Sequence, residues 1–285
     1  MLTEALVKVS DDPPVNLFVA QSSDPSDLAL LVIHGGPDWD HTYLRDPLVR
    51  LGTTCRLVMP DIRGCGRSTA GLPATCYTPD AVISDLLSLL DALSLDAVSV
   101  LGFSYGGLLA QRLVARAPSR FCKLIIASSS VYPVPDNAYD QWPDRGERET
   151  ARRAAWADAE LDGPAKVRAA AIAGARSDVW RQDRLAGYLD RLHEVRFGAE
   201  WMRPWRSGIL PDAGLVEADH VLAEIGIPIL FLHGSHDTTN PASLATRAAG
   251  QIENARVAVI DNAGHMTHVD EPDQWIATLE SFLAQ

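Results

Sequence analysis

The sequence predicts an α/β fold in which a mostly parallel sheet is flanked by helices. Short apolar runs typical of buried strands recur along the chain and helical patterns follow them; this alternation stops near residue 130 and resumes near residue 219. Residues 1–130 and 219–285 are therefore predicted to form one core domain. The clearest strand patterns are Ala29–Ile33, Arg56–Met59, Ala97–Leu101, Ile227–His233 and Arg256–Ile260, and the last helix is predicted over Pro272–Leu283.

The segment between the two halves of the core, residues 131–218, is predicted to be a helical cap inserted after the sixth strand. Its arginine- and alanine-rich stretches have helical periodicity and little strand character, notably over Glu147–Glu160, Ala165–Ala175 and Gln182–Val195. The cap also holds five of the seven tryptophans of the chain. We expect most of these indoles to fix the cap to the core and one or two to line a pocket.

A candidate nucleophile lies in the pattern Gly102-Phe103-Ser104-Tyr105-Gly106, between a strand pattern and the helical pattern Leu108–Val114. In a sharp strand-to-helix turn, side chains two residues either side of the serine would collide, so glycine at both places lets Ser104 project above the sheet. Short Gly-x-Ser-x-Gly matches also occur where a serine merely caps a helix. The assignment therefore depends on an acid and a histidine that follow in that order, each after a strand.

An aspartate and a histidine occur in this order, each after a predicted strand. Asp237 follows the strand pattern Ile227–His233 and comes just before the helix-start signal Asn240-Pro241. His265 lies in the loop after the strand pattern Arg256–Ile260. The order of the three residues predicts a hydrogen-bonded relay.

In such a relay Ser104 attacks the substrate, and His265 takes its proton and returns it to the leaving group. Asp237 holds the imidazole in the required tautomer and stabilises the imidazolium that forms. His268 is the alternative base, but the position of His265 after Ala-Gly at the apex of the loop favours His265. His233 and His236 are interpreted as strand-end and loop residues.

The reaction also needs an oxyanion hole made of two backbone N–H groups, one after the nucleophile and one after the third strand. Tyr105 supplies the first. The second is predicted at Gly36, because in His34-Gly35-Gly36-Pro37 the absence of side chains lets an amide approach a substrate carbonyl closely. His34 is predicted to shape this loop through internal hydrogen bonds.

On these residues the chain resembles an α/β-hydrolase, and in particular the proline iminopeptidase group of serine aminopeptidases. The segment at residues 34–37 is similar to that group's HGGPG loop, and Asp61–Ser68, which reads DIRGCGRS, is similar to its DQRGCGRS segment. The resemblance implies an eight-stranded, mostly parallel sheet with the cap after the sixth strand. Asp61, Arg63 and Arg67 are expected to brace the loops beneath the site, and Asp38 departs from the last glycine of HGGPG.

An aminopeptidase must bind a cationic amine, and in a mostly apolar pocket this requires carboxylates, since an unpaired buried charge costs several kcal/mol. The resemblance implies that glutamates of the cap take this role. Glu160 and Glu194 are their nearest counterparts here, with Trp156 as a neighbouring candidate for the pocket wall. Both glutamates could equally be solvated charges on helix faces.

The leading hypothesis is an aminopeptidase or amidase that releases an N-terminal residue through an acyl-enzyme on Ser104. A carboxylesterase or lactonase acting on a small ester is the alternative, favoured if the pocket is apolar without an amine-binding carboxylate. A second alternative is a ligand-binding protein that performs no turnover. The triad and the oxyanion loop are common to many hydrolases of this architecture, so the fold does not choose among these hypotheses.

The composition and charge of the chain limit the classes of substrate and binding partner. The formal net charge of −12 disfavours nucleic acid and anionic membranes, so we expect a small-molecule or short-peptide substrate. The chain starts without a basic stretch leading into an apolar one, and no run of about 18 apolar residues occurs, which predicts a cytoplasmic protein. The chain has four cysteines, Cys55, Cys65, Cys76 and Cys122, and none of them shows Cys-x-x-Cys spacing. Reduced thiols are therefore predicted, and neither a metal nor a cofactor is expected.

Overall fold

The computed structural model describes residues 2–22, 28–140, 142 and 144–285. Their strands form one eight-stranded sheet in the order β1-β2-β4-β3-β5-β6-β7-β8. Strand β2 pairs antiparallel with β1 and β4, and every pairing from β4 across to β8 is parallel. The strands are β1 (Leu2–Asp11), β2 (Pro14–Ser22), β3 (Ala29–Ile33), β4 (Arg56–Pro60), β5 (Val98–Phe103), β6 (Phe121–Ala127), β7 (Ile229–Gly234) and β8 (Ala255–Ile260).

The central strands are buried on both faces, which explains their continuous apolar runs. In β3, for example, all five residues are buried. Leu31 and Ile33 belong to the hydrophobic layer on one face of the sheet, while Leu30 and Val32 belong to the layer on the other. Successive side chains of a strand point to opposite faces, so one short run supplies both layers.

Helices cover the sheet and build the cap. They are α1 (Thr42–Leu48), α2 (Pro79–Ala92), α3 (Tyr105–Arg116), α4 (Arg145–Arg148), α5 (Thr150–Ala157), α6 (Gly163–Asp178), α7 (Leu185–Glu194), α8 (Met202–Arg206), α9 (Ala218–Ile225), α10 (Ala242–Gln251), α11 (Thr267–Asp270) and α12 (Pro272–Leu283). Short 3₁₀ helices lie at Val49–Thr53, Ala74–Cys76, Pro118–Arg120 and Gln182–Arg184. Proline occupies the first turn of α2, α6 and α12, where its missing N–H and fixed φ favour a helix start.

The predicted fold class is confirmed, including the helical segment between β6 and β7. The bounds of β3 and α12 are those predicted, but β5 starts one residue later and runs on to Phe103. It does so because Gly102 and Phe103 still pair with β6, at Ile126 and Ala127, although glycine is a poor strand former. The parallel sheet places the loops after β3, β5, β7 and β8 at one edge, where the candidate site lies.

Among the residues that the structure describes, no helix combines the length and apolarity needed to cross a bilayer.

Candidate active site

Ser104 occupies a strained turn between β5 and α3. Its backbone angles are φ 52° and ψ −119°, a left-handed conformation that is rare for a residue with a side chain. A Cβ atom added to Gly102 would lie 2.2 Å from the carbonyl oxygen of Gly106, and one added to Gly106 would lie 2.2 Å from the carbonyl oxygen of Ile33. The turn therefore requires glycine at both positions, as the sequence pattern predicted.

The structure brings Ser104, His265 and Asp237 into one hydrogen-bonded chain. The Oγ atom of Ser104 is 3.1 Å from Nε2 of His265, and Nδ1 of His265 is 3.0 Å from each carboxylate oxygen of Asp237. Asp237 is held from its other side, because its Oδ1 atom also accepts the backbone N–H groups of Thr239 and Asn240 at 2.8 and 2.9 Å. These two bonds fix the orientation of the carboxylate before it meets the imidazole.

Electrostatics favour a basic imidazole at this position. Burial alone lowers the pKa of His265, but the negative charge of Asp237 and its hydrogen bond outweigh burial and hold this pKa above its ordinary value of 6.5. The carbonyl oxygen of His265 accepts a hydrogen bond of 2.8 Å from the Ser128 hydroxyl, which steadies the loop. Ser128 thus has a structural part, in keeping with its interpretation as a strand-end residue.

The alternative base, His268, lies elsewhere. It is fully buried, its Nε2 atom is 3.2 Å from the carbonyl oxygen of Tyr43, and its ring contacts Phe103 and Trp275. Burial lowers the pKa of His268 to about 3, so its ring stays neutral. The Nε2 atom of His268 is thus engaged with the backbone of the core.

The glycine loop after β3 packs directly against the serine turn. A Cβ atom on Gly35 would lie 3.1 Å from Cβ of Ser104, and Gly36 adopts φ 115°, a conformation that favours glycine. His34 shapes this loop from within: its Nε2 atom accepts the N–H of Ile62 at 3.1 Å, and its Nδ1 atom lies 2.7 Å from the carbonyl oxygen of Gly35. The predicted internal role of His34 is confirmed.

Tyr105, the other predicted oxyanion donor, is the first residue of α3. The first N–H groups of a helix have no partner within the helix, so this amide is available to a ligand. Its side chain packs edge-on against the ring of Trp201.

The segment Asp61–Ser68 braces the loops beneath the site, as predicted. Both side-chain oxygens of Asp61 are engaged, Oδ1 with the backbone and ring of His41 and Oδ2 with the backbone N–H of Arg67. Arg63 makes two hydrogen bonds of 2.6 Å to the buried carboxylate of Asp85. None of these residues lines the cavity beside Ser104.

Two cavities meet at the glycine loop. The smaller, about 190 Å³, lies directly beside Ser104 and His265 and is lined by Gly36, Trp39, Tyr43, Phe103, Ser104, Arg152, Asp178, Thr239, His265 and Met266. The larger, about 530 Å³, is mostly aromatic and apolar and is lined by Gly36, Pro37, Asp38, Trp39, Tyr105, Trp156, Val167, Trp201, Met202, Trp205 and Leu210. Gly36 and Trp39 belong to both walls.

The cap residues predicted from the sequence are only partly at the site. Trp156 lines the larger cavity, but Glu160 and Glu194 are exposed to solvent and line neither cavity. Their assignment as inward amine-binding carboxylates therefore has to be corrected: helix α5 ends at Ala157, and the chain carries Glu160 away from the pocket in a solvated turn. Glu194 ends α7 on its exposed side.

Sequence reasoning missed several residues of the two cavities. Trp201 and Trp205 join Trp156 in the larger cavity, which makes three cap tryptophans in the wall rather than the one or two expected. Arg152 and Asp178 reach the smaller cavity, and no periodicity marked them among the other charges of the cap.

Asp38 stands where the HGGPG loop has its last glycine, and the structure shows that its carboxylate has a structural role. Its two carboxylate oxygens accept the backbone N–H groups of Trp201 and Met202 at 3.0 and 3.1 Å. This ties the glycine loop to the start of α8. Burial raises the pKa of Asp38 to about 6, against the opposing effect of these N–H donors.

No group of three or more His, Cys, Asp and Glu side chains is arranged to hold a metal ion within the described part of the chain. The four cysteines are free thiols.

Comparisons with known proteins agree with this architecture. Residues 29–272 match the family described as the alpha/beta hydrolase fold. A proline iminopeptidase of Levilactobacillus brevis is 27% identical over 264 residues, covering 90% of this chain and 88% of that protein. The structure of a 2-hydroxy-6-oxo-6-phenylhexa-2,4-dienoate hydrolase from Rhodococcus sp. strain RHA1 is similar with a TM-score of 0.77 and 18% identity, covering 100% of this chain and 99% of that one.

An esterase from Exiguobacterium antarcticum is similar with a TM-score of 0.74 and 21% identity, covering 99% of this chain and 100% of that one. The family match spans most of the chain, including every strand from β3 to β8. The chain belongs to the α/β-hydrolase fold family.

Proposed function

We propose that this protein is a serine hydrolase that cleaves small, uncharged carboxylic esters through an acyl-enzyme on Ser104. The observation that carries the proposal is the continuous hydrogen-bonded chain from Ser104 Oγ through His265 to Asp237, which opens onto a cavity of about 190 Å³. A serine hydroxyl is a poor nucleophile near neutral pH, and this arrangement supplies the base that activates it.

In the first half of the reaction, Ser104 Oγ attacks the carbonyl carbon of the ester while His265 Nε2 takes the hydroxyl proton. The negative charge that develops on the carbonyl oxygen is stabilised by the backbone N–H groups of Gly36 and Tyr105. The bond to the alcohol oxygen then breaks, and the imidazolium of His265 returns its proton to that oxygen. Asp237 remains ionised throughout.

In the second half, a water molecule takes the place of the alcohol. His265 removes a proton from this water as its oxygen attacks the acyl carbon of the ester on Ser104. The second tetrahedral intermediate collapses, the bond to Ser104 Oγ breaks, and His265 returns the proton to the serine. The products are the carboxylic acid and the free enzyme.

The lining of the cavities favours an uncharged ester over a substrate with a free amine. A cationic amine needs a carboxylate that is free to pair with it. Two carboxylates reach the cavities, and both are engaged: Asp38 with the backbone of α8, and Asp178 with Arg152 at 2.5 Å. The larger cavity otherwise offers indole rings and aliphatic side chains, which suit an apolar acyl or alcohol group.

Release of an N-terminal residue is the second candidate. It is favoured by the whole-length similarity to the Levilactobacillus brevis proline iminopeptidase and by the DIRGCGRS segment. In that case Asp178 would have to exchange Arg152 for the substrate amine.

A paired assay tests both candidates. Wild type, Ser104→Ala and the exposed-serine control Ser281→Ala are compared on p-nitrophenyl esters of increasing acyl length, a simple lactone, and the p-nitroanilides of proline and alanine. We expect ester turnover in wild type and Ser281→Ala that is lost in Ser104→Ala. Turnover of the anilides alone would replace the ester proposal by the aminopeptidase, and equal turnover in wild type and Ser104→Ala would overturn the proposed mechanism.

A further inference from the structure

An ion pair contributed by the cap lies in the same small cavity as Ser104 and His265. Arg152 comes from α5 and Asp178 is the last residue of α6. The Nη2 atom of Arg152 is 2.5 Å from Oδ1 of Asp178, and the two side chains are 23% and 5% exposed. The proposed mechanism gives this pair no task.

Asp178 is fixed to the loop that carries His265. Its carbonyl oxygen accepts the backbone N–H of Met266, the residue after His265, at 2.9 Å. A Cβ atom on Gly264, the residue before His265, would lie 2.7 Å from the same carbonyl oxygen. The end of α6 is therefore in direct contact with both chain neighbours of the histidine.

A second link joins the same two segments. The buried carboxylate of Asp270 accepts the backbone N–H groups of Gly264, Trp180 and Arg181 at 2.7, 3.0 and 2.8 Å. Arg152 is held in its turn, because it also donates to the carbonyl oxygen of Gly174 at 2.8 Å and lies 3.7 Å from the carboxylate of Glu149. The cap charges thus have defined positions relative to the imidazole.

We propose that Arg152 and Asp178 are positioning residues through which the cap sets the basicity of His265. The inference rests on the proposed function, in which His265 is the base. The carboxylate stabilises the imidazolium and the guanidinium destabilises it, so the two residues act on the same proton in opposite directions. The contacts of Asp178 with the histidine loop hold its carboxylate at a fixed place relative to the base.

The charges that face His265 from each surrounding element support this assignment. Burial lowers the pKa of His265, Asp237 from the loop after β7 and Asp178 from α6 raise it, and Arg152 from α5 lowers it. The other neighbouring imidazoles carry no charge near neutral pH, because burial lowers the pKa of His233 to about 4 and that of His268 to about 3. Arg152 and Asp178 are therefore the cap's charged contribution to the base.

The test is the pH dependence of kcat/KM on an uncharged p-nitrophenyl ester, whose acid limb reports the pKa of the base in the free enzyme. We expect Asp178→Asn to move this limb to lower pH and Arg152→Gln to move it to higher pH, each by roughly half a unit to one unit, the size expected of one nearby charge in a partly screened site. The double variant should lie between the two single variants, and Arg152→Lys should keep the wild-type limb.

A second ion pair of the cap provides the matched control. Nη1 of Arg206 lies 2.8 Å from Oδ1 of Asp162, and both side chains are exposed and line neither cavity. Arg206→Gln and Asp162→Asn should therefore leave the acid limb of the pH–rate profile in place. Where a variant turns over too slowly, the His265 titration is read by NMR in the same variant.

The outcomes separate the two proposals. The role of the ion pair would be overturned if the acid limbs of both single variants lay within about 0.2 pH unit of the wild-type limb, or if both shifted in the same direction. Either result would leave Ser104-dependent hydrolysis intact. Ester turnover that survives in Ser104→Ala would instead remove the proposed function on which the inference rests.

Discussion

The substitution Asp237→Asn tests whether the acid sets the tautomer of the base. In the wild type both carboxylate oxygens of Asp237 lie 3.0 Å from Nδ1 of His265. Oδ1 already accepts the N–H groups of Thr239 and Asn240, so Oδ2 is the oxygen that is free to accept from the ring. An asparagine of the same shape keeps its carbonyl oxygen toward the two N–H donors. Its NH₂ group then faces Nδ1 of the imidazole, which has to accept instead of donate.

This reversal places the ring proton on Nε2, the nitrogen 3.1 Å from Ser104 Oγ. A protonated Nε2 cannot take the serine proton, so the variant loses its base while keeping every atom in place. A reversal of this kind costs about 10⁴-fold in kcat, which corresponds to about 5.5 kcal/mol of transition-state stabilisation. Michaelis kinetics on a p-nitrophenyl ester at neutral pH measure the loss.

The exposed residue Asp261 lies in the loop that carries His265, so Asp261→Asn serves as the control and should keep wild-type rates. The melting temperature of Asp237→Asn should stay near that of wild type, because the side-chain volume and the two backbone contacts are retained. A kcat within about tenfold of wild type would refute the reasoning, since it would show that the imidazole tautomer does not depend on Asp237.

Three further predictions concern the base, the brace and the pocket. The acid limb of the wild-type pH–rate profile should lie above pH 6.5, because only neutral His265 accepts a proton and its pKa is raised; a limb well below 6.5 would contradict this. In urea denaturation, Arg63→Met should cost about 3–5 kcal/mol by leaving the Asp85 carboxylate buried and unpaired, whereas Arg63→Met with Asp85→Leu should recover most of that loss. Trp205→Ala should lower kcat/KM about tenfold for long-chain esters by removing an indole from the larger cavity. Its kcat/KM for acetate esters should stay unchanged, as should that of the exposed control Ile209→Ala for all esters. Equal effects of Trp205→Ala on short and long esters would exclude a role in chain binding.

The serine turn and the order of its partners could be predicted because local steric requirements restrict a few neighbouring positions to particular residue types. The close approach of Gly102 to Gly106 admits no side chain, so the glycines are visible in the sequence. The strand before each of Ser104, Asp237 and His265 is a short apolar run, and parallel strands end at a common edge. Local pattern and topology together were enough to place these residues side by side.

The cap could not be read in the same way. Arg152 and Asp178 are charges in an arginine- and alanine-rich region, and what distinguishes them is the docking of α5 and α6 against the loop of His265. Asp38 owes its part to N–H groups of α8, far along the chain. Glu160 and Glu194 are the counterparts that the family resemblance implies, but Glu160 lies in an exposed turn after α5 and Glu194 lies at the exposed end of α7.

The most direct test of the account is covalent labelling with a fluorophosphonate, which captures a serine only when a base activates it. We predict one adduct per chain, located by peptide mass spectrometry at Ser104, and its loss in His265→Ala. An adduct on Ser128, Ser129 or Ser130 with Ser104 unmodified, or no adduct in a preparation that hydrolyses esters, would contradict the central claim that Ser104 is the nucleophile.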